Sequence, residues 1–258
     1  MFLRSPQFAG TFYPNDPQIL KVMIEEFLRQ VTREKLKVKP KALIVPHAGY
    51  LYSGQVAAAA FKTVEKQSYQ QVVLIGPSHH FLFEGLALSP EGRWKTPLGK
   101  LKVEKSPLLA KTKVIFESAE IHLPEHCLEV ELPFLQMVLT NFQIIPLLTG
   151  EVNPNQAAQE LQSLVTEDTL FVISSDLSHY YSYEEAKKID EVTLDAILAQ
   201  DLQRLDKFGE ACGKTGIEIL MLLAQKNHWQ PKLLKALNSG DITGDKTEVV
   251  GYGSVLYT

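Results

Sequence analysis

The chain is poor in cysteine and has no long apolar run, and both absences narrow what it can be. Its 258 residues include only Cys127 and Cys212, too few for a disulfide framework. No apolar stretch approaches the roughly 20 residues that a membrane-spanning helix needs. The N-terminus has no apolar core of secretory length. We therefore expect a cytoplasmic protein with free thiols and no membrane partner.

The chain also lacks an excess of positive charge, internal repeats and low-complexity segments. Its formal net charge is −4, whereas a nucleic-acid-binding protein needs a basic face, so we expect no nucleic-acid partner. No long glycine- or serine-rich linker divides the chain. Because the length is near the upper limit for one hydrophobic core, we predict a single domain over residues 1–258.

Short apolar runs alternate with amphipathic segments along the chain, which predicts an α/β sheet with helices on both faces. The predicted strands cover residues 41–46, 71–77, 142–150, 169–176 and 248–258, and the predicted helices cover residues 17–34, 53–66, 124–141, 153–167, 183–200 and 215–227. Ser53 is a candidate N-cap, and Thr215 with Glu218 matches a capping box. Prolines and glycines break residues 85–104 into short extended pieces typical of a hairpin.

Histidines follow three of the predicted strands. His47 follows the first, His79 and His80 follow the second, and Asp176 and His179 come at the end of the fourth. Ligands of α/β sheets bind outside the carboxyl ends of the strands. The pattern therefore predicts a reactive or metal-binding site at this edge of the sheet.

Each of these residues also has a plainer interpretation. His47 can be a loop histidine bonded to backbone, and one of His79 and His80 can be simply solvated. Asp176 can cap a helix. If its segment instead turns helically, the three-residue spacing to His179 lets the carboxylate orient the imidazole.

Cys212 lies just before a predicted helix, and a helix N-terminus favours the thiolate form that binds metals. A buried, inert cysteine is the competing interpretation, and spacing alone favours it. The adjoining GKT triplet is not a phosphate-binding loop, because only three residues separate Gly209 from Gly213 where that motif needs four.

The segment EIHLPEHCLEVELPFL contains two further histidines. We expect His126, Glu129 and Glu131 as candidates to line a cleft. For His122, a solvated helix start is at least as well supported as a role in the site.

Five motifs occur in the order PHAGY, GPSHH, EHCLEVELPFL, SSDLSHY and ACGKTG, with AGTFYP before them and GYGSVLYT at the end. With this combination the chain resembles the Memo family, known in bacteria and archaea as AmmeMemoRadiSam system protein B. The resemblance covers essentially the whole chain. It implies a fold similar to class III extradiol dioxygenases, a single α/β/α sandwich domain around a mixed, largely parallel sheet.

The resemblance also implies a site. It makes His47, His79 and Cys212 metal ligands, with His179 as the acid/base residue and Asp176 beside it. Those dioxygenases hold iron with a carboxylate where this chain has a cysteine, which argues against ring cleavage. A thiolate suits copper, zinc or thiolate-bound iron. His80, His126 and Glu129 are expected nearby in the cleft. Cys127 stands where the family usually has serine.

Three functions remain open. The first is a metal-dependent redox enzyme holding iron(II) or copper, with zinc as a further option, in which His179 transfers protons. The second is a non-catalytic module that binds phosphorylated or acidic peptides or partner proteins in the same cleft. The third is a metal-free thiol hydrolase using Cys212, His179 and Asp176. The resemblance further implies radical SAM and AMMECR-type proteins as partners.

Overall fold

A computed structural model describes residues 3–32, 36–104 and 112–258. Within these ranges the chain forms twelve strands, nine α-helices and a short 3₁₀ helix, Gln162–Leu164. The strands are β1 Leu3–Arg4, β2 Ala42–Val45, β3 Gln71–Pro77, β4 Leu86–Leu88, β5 Arg93–Thr96, β6 Gly99–Val103, β7 Ile115–Glu117, β8 Gln143–Thr149, β9 Thr169–Ser174, β10 His179–Tyr181, β11 Pro231–Asn238 and β12 Val249–Tyr257. The helices are α1 Pro17–Gln30, α2 Tyr50–Val64, α3 Ala119–His122, α4 Leu132–Val138, α5 Pro154–Leu161, α6 Tyr183–Leu198, α7 Leu202–Phe208, α8 Lys214–Asn227 and α9 Ser239–Thr243.

The described strands join one mixed sheet whose centre is parallel. Strands β8, β3, β9 and β2 lie side by side and parallel. On one side β12 pairs antiparallel with β2 and carries β10 and β11. On the other side β6 runs parallel to β8, and β5 and β1 follow. Because the central strands are parallel, β2, β3 and β9 end at the same edge of the sheet.

Side chains of the central strands alternate between two hydrophobic cores, as the two-residue period of a strand requires. In β2, Leu43 and Val45 enter the core beneath α1, α2 and α4. Ala42 and Ile44 enter the core beneath α5, α6, α7 and α8. Strands covered on both faces have to be apolar throughout, which is why β2 reads ALIV. The prediction of an α/β/α arrangement around a mixed, largely parallel sheet is confirmed.

Local sequence explains where the first helix begins. The Asp16 side chain accepts hydrogen bonds from the backbone N–H groups of Gln18 and Ile19, and Pro17 occupies the first turn. The apolar positions recur every fourth residue, so that one stripe is buried. The predicted helix over residues 17–34 is confirmed to Gln30, and its last two residues lie outside the described ranges.

The predicted helix over residues 124–141 is largely wrong. Residues 127–131 form turns, and only α4 is helical. Pro133 lies in the first turn of α4, where its missing N–H leaves no bond unmade, whereas a helix starting at residue 124 would need that N–H. Two cap predictions are also wrong, because α2 begins at Tyr50 and α8 at Lys214, each after a glycine N-cap.

Strands β10 and β11 were not predicted. Strand β11 is mostly half-buried, contains two lysines, and among the described strands pairs with β12 alone, so its sequence carries no continuous apolar signal. None of the helices in the described ranges is long and apolar enough to cross a lipid bilayer.

Candidate metal centre

Two strand ends and one loop bring three histidines together. His47 follows β2, His79 follows β3, and His126 lies in the turns before α4. One ring nitrogen from each lies within 4.8 Å of those from the other two. The His79 and His126 rings stack with centroids 4.9 Å apart, and His47 meets both edge-on. Exposure falls from 30% of the His79 side chain to 17% for His126 and 2% for His47, so the cluster opens to solvent beside His79.

His47 is the deepest member of the cluster, and both of its ring nitrogens have partners. Nδ1 lies 2.8 Å from the Ser174 hydroxyl oxygen, and Nε2 lies 3.3 Å from Cys212 Sγ. Its backbone N–H donates to Asp176 Oδ1 at 2.8 Å. Burial, with the neighbouring His126 and His79, lowers the pKa of His47 well below its ordinary value. His47 is therefore a neutral imidazole, the form that binds a metal.

A buried polar chain lies behind His47. Ser174 Oγ is 2.8 Å from the Cys127 carbonyl oxygen and 2.9 Å from Glu131 Oε1. Glu131 is fully buried, and its Oε2 has no hydrogen-bond partner among the described residues. Burial raises the pKa of Glu131 well above its usual range. A neutral acid at Glu131 can donate to Ser174 Oγ, which then also accepts from His47 Nδ1 and donates to the Cys127 carbonyl, so every contact of the hydroxyl is satisfied.

Glu125 holds the other two histidines. Its Oε1 lies 3.0 Å from His79 Nδ1 and 3.2 Å from His126 Nδ1. Backbone N–H groups of His79, His126 and Cys127 also donate to this carboxylate at 2.7–3.0 Å. Burial by itself would raise the pKa of Glu125, but the hydrogen bonds from His126 and His79 outweigh it and hold the pKa well below the ordinary value. Partial burial lowers the pKa of His79, but the bond and charge of Glu125 outweigh that effect and raise it.

Cys212 reaches His47 because the start of α8 lies against the end of β9. A Cβ at Gly213 would come within 2.8 Å of the Ser174 carbonyl oxygen, so only glycine allows this approach. The Asp176 backbone N–H donates to Cys212 Sγ at 3.2 Å. Burial of the sulfur, with the nearby Asp176 carboxylate, raises the pKa of Cys212 to about 12. The expected thiolate-favouring effect of the helix start is outweighed, and Cys212 is a thiol in the metal-free protein.

Asp176 and His179 do not pair with each other. Residues 175–178 have no helical structure, so the three-residue spacing does not stack the two side chains. The buried Asp176 carboxylate instead accepts from the backbone N–H groups of His47 and Ala48, and burial raises its pKa to about 7. His179 begins β10 and bonds to the Leu177 backbone, and burial lowers its pKa. His179 still lies at the same end of the sheet, close enough for its charge to act on His47.

Two of the other candidate residues lie outside the cluster. His80 is exposed. Glu129 is fully buried and forms an ion pair with Arg4. The Glu129 carboxylate also accepts from the Tyr13 hydroxyl at 2.7 Å and from the Phe8 N–H at 2.8 Å. Glu129 therefore fastens the N-terminal segment to the core and does not face the cleft.

The expectation of a solvated His122 is wrong. His122 is 1% exposed, and its Nε2 lies 2.8 Å from the Ala87 carbonyl oxygen. Its ring meets Trp94 edge-on, away from the histidine cluster. Burial lowers the pKa of His122 to about 4.

Several residues that shape the site were missed in the sequence. Phe8 and Phe12 contact His126, with the Phe12 and His126 ring centroids 4.5 Å apart. Glu125 and Ser174 hold the histidine rings. The sequence signals for them were slight: AGTFYP contains Phe12 and directly follows Phe8, a glutamate precedes His126, and a serine ends β9.

Comparison with known proteins agrees with this arrangement of motifs. The sequence model described as Memo-like protein matches residues 4–256. The chain belongs to the Memo-like family. Its relatives include MEMO1 family proteins of Sulfurisphaera tokodaii, Thermoplasma acidophilum and Thermotoga neapolitana. They are 34%, 34% and 35% identical to it, and each match covers at least 98% of both chains.

Proposed function

We propose that this Memo-like chain is a metal-dependent redox enzyme that holds iron(II) or copper at the sheet edge. His47 and His79 supply two nitrogen donors, Cys212 supplies a thiolate, and His126 adjoins them as a further donor. His179 is the acid/base residue of the site. The observation that carries the proposal is the convergence of three ring nitrogens within 4.8 Å, with the Cys212 sulfur 3.3 Å from one of them.

The separations support a common ion. Nitrogens about 2.1 Å from one tetrahedral metal lie roughly 3.4 Å apart, and a nitrogen and a sulfur lie roughly 3.6 Å apart. The contact between His47 Nε2 and Cys212 Sγ is already in that range. The three nitrogens, within 4.8 Å, need only small side-chain rotations to reach it. The Nδ1 atoms are bonded to Ser174 and Glu125, so the Nε2 atoms are the ones left for a metal.

The chemistry of the donor atoms narrows the choice of metal ion. Imidazole nitrogen and thiolate sulfur suit iron, copper and zinc, whereas magnesium and calcium prefer oxygen ligands. A bound iron or copper ion supplies one-electron chemistry and Lewis acidity. His179 is half-buried, and burial lowers its pKa. It is therefore a neutral imidazole suited to accept a proton from a bound substrate. The substrate itself is not defined by these residues.

Metal analysis tests the proposal directly. Protein purified without added metal, and protein reconstituted anaerobically with iron(II), copper(I) or zinc, should each be measured by elemental analysis and by isothermal titration. We expect about one ion per chain and no binding of magnesium. A chain that takes up none of these transition metals when reduced would contradict the proposal and would favour the non-catalytic binding module.

A metal-free thiol hydrolase is the second candidate, and the contact between Cys212 and His47 favours it. The base would then be His47, oriented by Ser174, and not the expected His179 with Asp176. The raised pKa of Cys212 and the lowered pKa of His47 disfavour the thiolate–imidazolium pair that this mechanism uses.

Thiol alkylation separates the two candidates. If metal occupies the site, iodoacetamide should react with Cys212 more slowly in the metal-loaded protein than in the metal-free protein. Equal alkylation rates in the two forms would show that the Cys212 sulfur is not a metal ligand and would favour the thiol hydrolase. The matched control is Cys127, which is fully buried and should react in neither form.

A further inference from the structure

One carboxylate contacts two of the three clustered histidine rings. Glu125 Oε1 lies 3.0 Å from His79 Nδ1 and 3.2 Å from His126 Nδ1. Because the two rings stack, their Nδ1 atoms lie on the same side and both reach this oxygen. Each ring therefore has a proton acceptor at Nδ1, and its Nε2 has no hydrogen-bond partner within the described part of the chain.

The carboxylate cannot turn away from this position. Backbone N–H groups of His79, His126 and Cys127 donate to it, and the side chain is 2% exposed. Three backbone N–H groups already favour the ionised, acceptor-only form, and with both rings in the Nδ1–H form five donors would surround a group that has about four lone-pair sites. A glutamine would bring an NH₂ group into a shell made only of donors.

The two other buried glutamates of this segment do different things. Glu129 pairs with Arg4 and has no contact with a histidine ring. Glu131 contacts Ser174, and its other oxygen has no partner among the described residues. Glu125 is the member of the three that faces histidine nitrogens, so a general need for buried carboxylates does not explain its place.

We infer that Glu125 is the shared positioning residue of the metal centre, fixing His79 and His126 with the proton on Nδ1 so that both present Nε2 to the ion. The inference rests on the proposed metal function. A carboxylate behind a ligating histidine fixes the tautomer and raises the basicity of the ligand. Here a single carboxylate does this for two ligands at once, so its loss misaligns both.

The first measurement needs no metal. Nitrogen-15 NMR of labelled histidine at about pH 8.5, some two units above an ordinary imidazole pKa, reports which nitrogen carries the proton. We expect the Nδ1–H form for His79 and His126 in the parent chain. In Glu125→Gln we expect a mixture, or a shift to Nε2–H. Glu129→Gln is the matched control, since it removes an equally buried carboxylate of the same segment and should leave both tautomers unchanged.

The second measurement is zinc affinity, by titration against a competing chelator. Zinc is chosen because it has no redox chemistry of its own. We expect Glu125→Gln to bind zinc about 10–100-fold more weakly, the usual loss when a residue that hydrogen-bonds to a metal ligand is replaced. Glu125→Asp, which keeps the charge, should recover part of that loss, and Glu129→Gln should stay within about threefold of the parent chain.

The outcomes separate the inference from the function it rests on. A parent chain that binds zinc, with Glu125→Gln equal to it in affinity and tautomers, overturns the role of Glu125 and leaves the metal site standing. A parent chain that binds no transition metal overturns the proposed function and this role with it. If Glu125→Gln does not fold, the parent tautomers and Glu125→Asp decide: Nε2–H rings in the parent, or an aspartate variant no better than His79→Ala, would overturn the inference.

Discussion

The two sides of the histidine cluster are held in opposite electrostatic ways. His79 and His126 rest on the ionised Glu125 at the solvent-facing side. His47 rests on Ser174, behind which the buried Glu131 has no cationic partner among the residues that the structure describes. The bond and charge of Glu125 outweigh burial and raise the pKa of His79, whereas burial, with His126 and His79 nearby, lowers the pKa of His47. The outer side favours a positive charge, and the inner side favours neutral donors.

This difference in charge between the two sides affects how a metal ion would bind. The outer side already carries a fixed negative charge that compensates a cation. The inner side must first release the proton of Cys212, because burial keeps it a thiol. Metal binding should therefore be coupled to proton release at Cys212, and affinity should fall as the solution becomes more acidic.

The largest expected effect is on stability, and it comes from breaking the buried ion pair that ties the segment of Glu125 and Glu131 to the N-terminus. Glu125 and Glu131 lie on one segment, which the buried pair between Glu129 and Arg4 ties to the N-terminus. Arg4→Leu leaves Glu129 buried without its cation and should lower the free energy of unfolding by about 3–5 kcal/mol. Urea unfolding measures this loss.

The same variant should hardly change zinc affinity while it remains folded, because Arg4 bonds to the Glu125 backbone carbonyl and not to the carboxylate that holds the histidine rings. A loss of stability below about 1 kcal/mol, or a zinc affinity that falls as much as in Glu125→Gln, would contradict the separation between anchoring and positioning.

The comparison also shows what sequence reasoning could reach. The parallel strands and the placement of His47 and His79 at their ends follow from apolar runs that stop at polar residues, and they were predicted. His126 was expected in the cleft, but on a helix; its actual backbone setting was not predicted, because residues 124–131 follow neither the 3.6-residue nor the two-residue period. The roles of Glu125, Glu129 and Glu131 depend on which side chain each carboxylate meets, and no pattern within the segment encodes that.

Asp176 shows the same limit. Its spacing to His179 predicted a contact that required a helical turn, but residues 175–178 form no helix. The carboxylate binds backbone N–H groups of a turn that is more than 120 residues away in sequence. Only the pairing of β2 with β9 brings them together.

The second-largest effect is expected on the inner side. Cys212→Ser replaces an anionic sulfur donor with a neutral hydroxyl and should weaken zinc and copper binding by more than about 100-fold, beyond the usual loss when only a partner of a metal ligand is replaced. Chelator competition on reduced protein measures the affinity. Equal binding by the parent and Cys212→Ser would show that the thiolate is not a ligand and that the three histidines form the site alone.

On the outer side, His126→Ala should weaken metal binding by about tenfold, less than Cys212→Ser, because His47, His79 and Cys212 remain. His122→Ala is the control, since this histidine is equally close in sequence but lies against Ala87 and Trp94. It should lower stability, through a lost buried hydrogen bond and a cavity, without changing metal affinity. Equal losses of affinity in both variants would place His126 outside the metal site.

The smallest expected effect is a difference between Glu131 and Glu125 in how each changes the free energy of unfolding with pH. The folded-state pKa of Glu131 is raised above its unfolded value, so its ionisation favours the unfolded chain once the pH rises past the unfolded value. Glu131→Gln removes that cost. Relative to the parent, this variant should gain about 1 kcal/mol or more in free energy of unfolding between pH 5 and pH 7, within the limit of about 1.4 kcal/mol per pH unit for one group.

Glu125 should behave in the opposite way. Its folded-state pKa is depressed, so its contribution is present above the unfolded value and is lost as the pH falls below it. The penalty of Glu125→Gln should therefore grow as the pH rises through the ordinary glutamate range, while the relative stability of Glu131→Gln improves. Urea unfolding of both variants and the parent at several pH values measures the two trends. Parallel trends in the two variants would mean that both carboxylates share one ionisation state, and the electrostatic contrast between the two sides of the cluster would be lost.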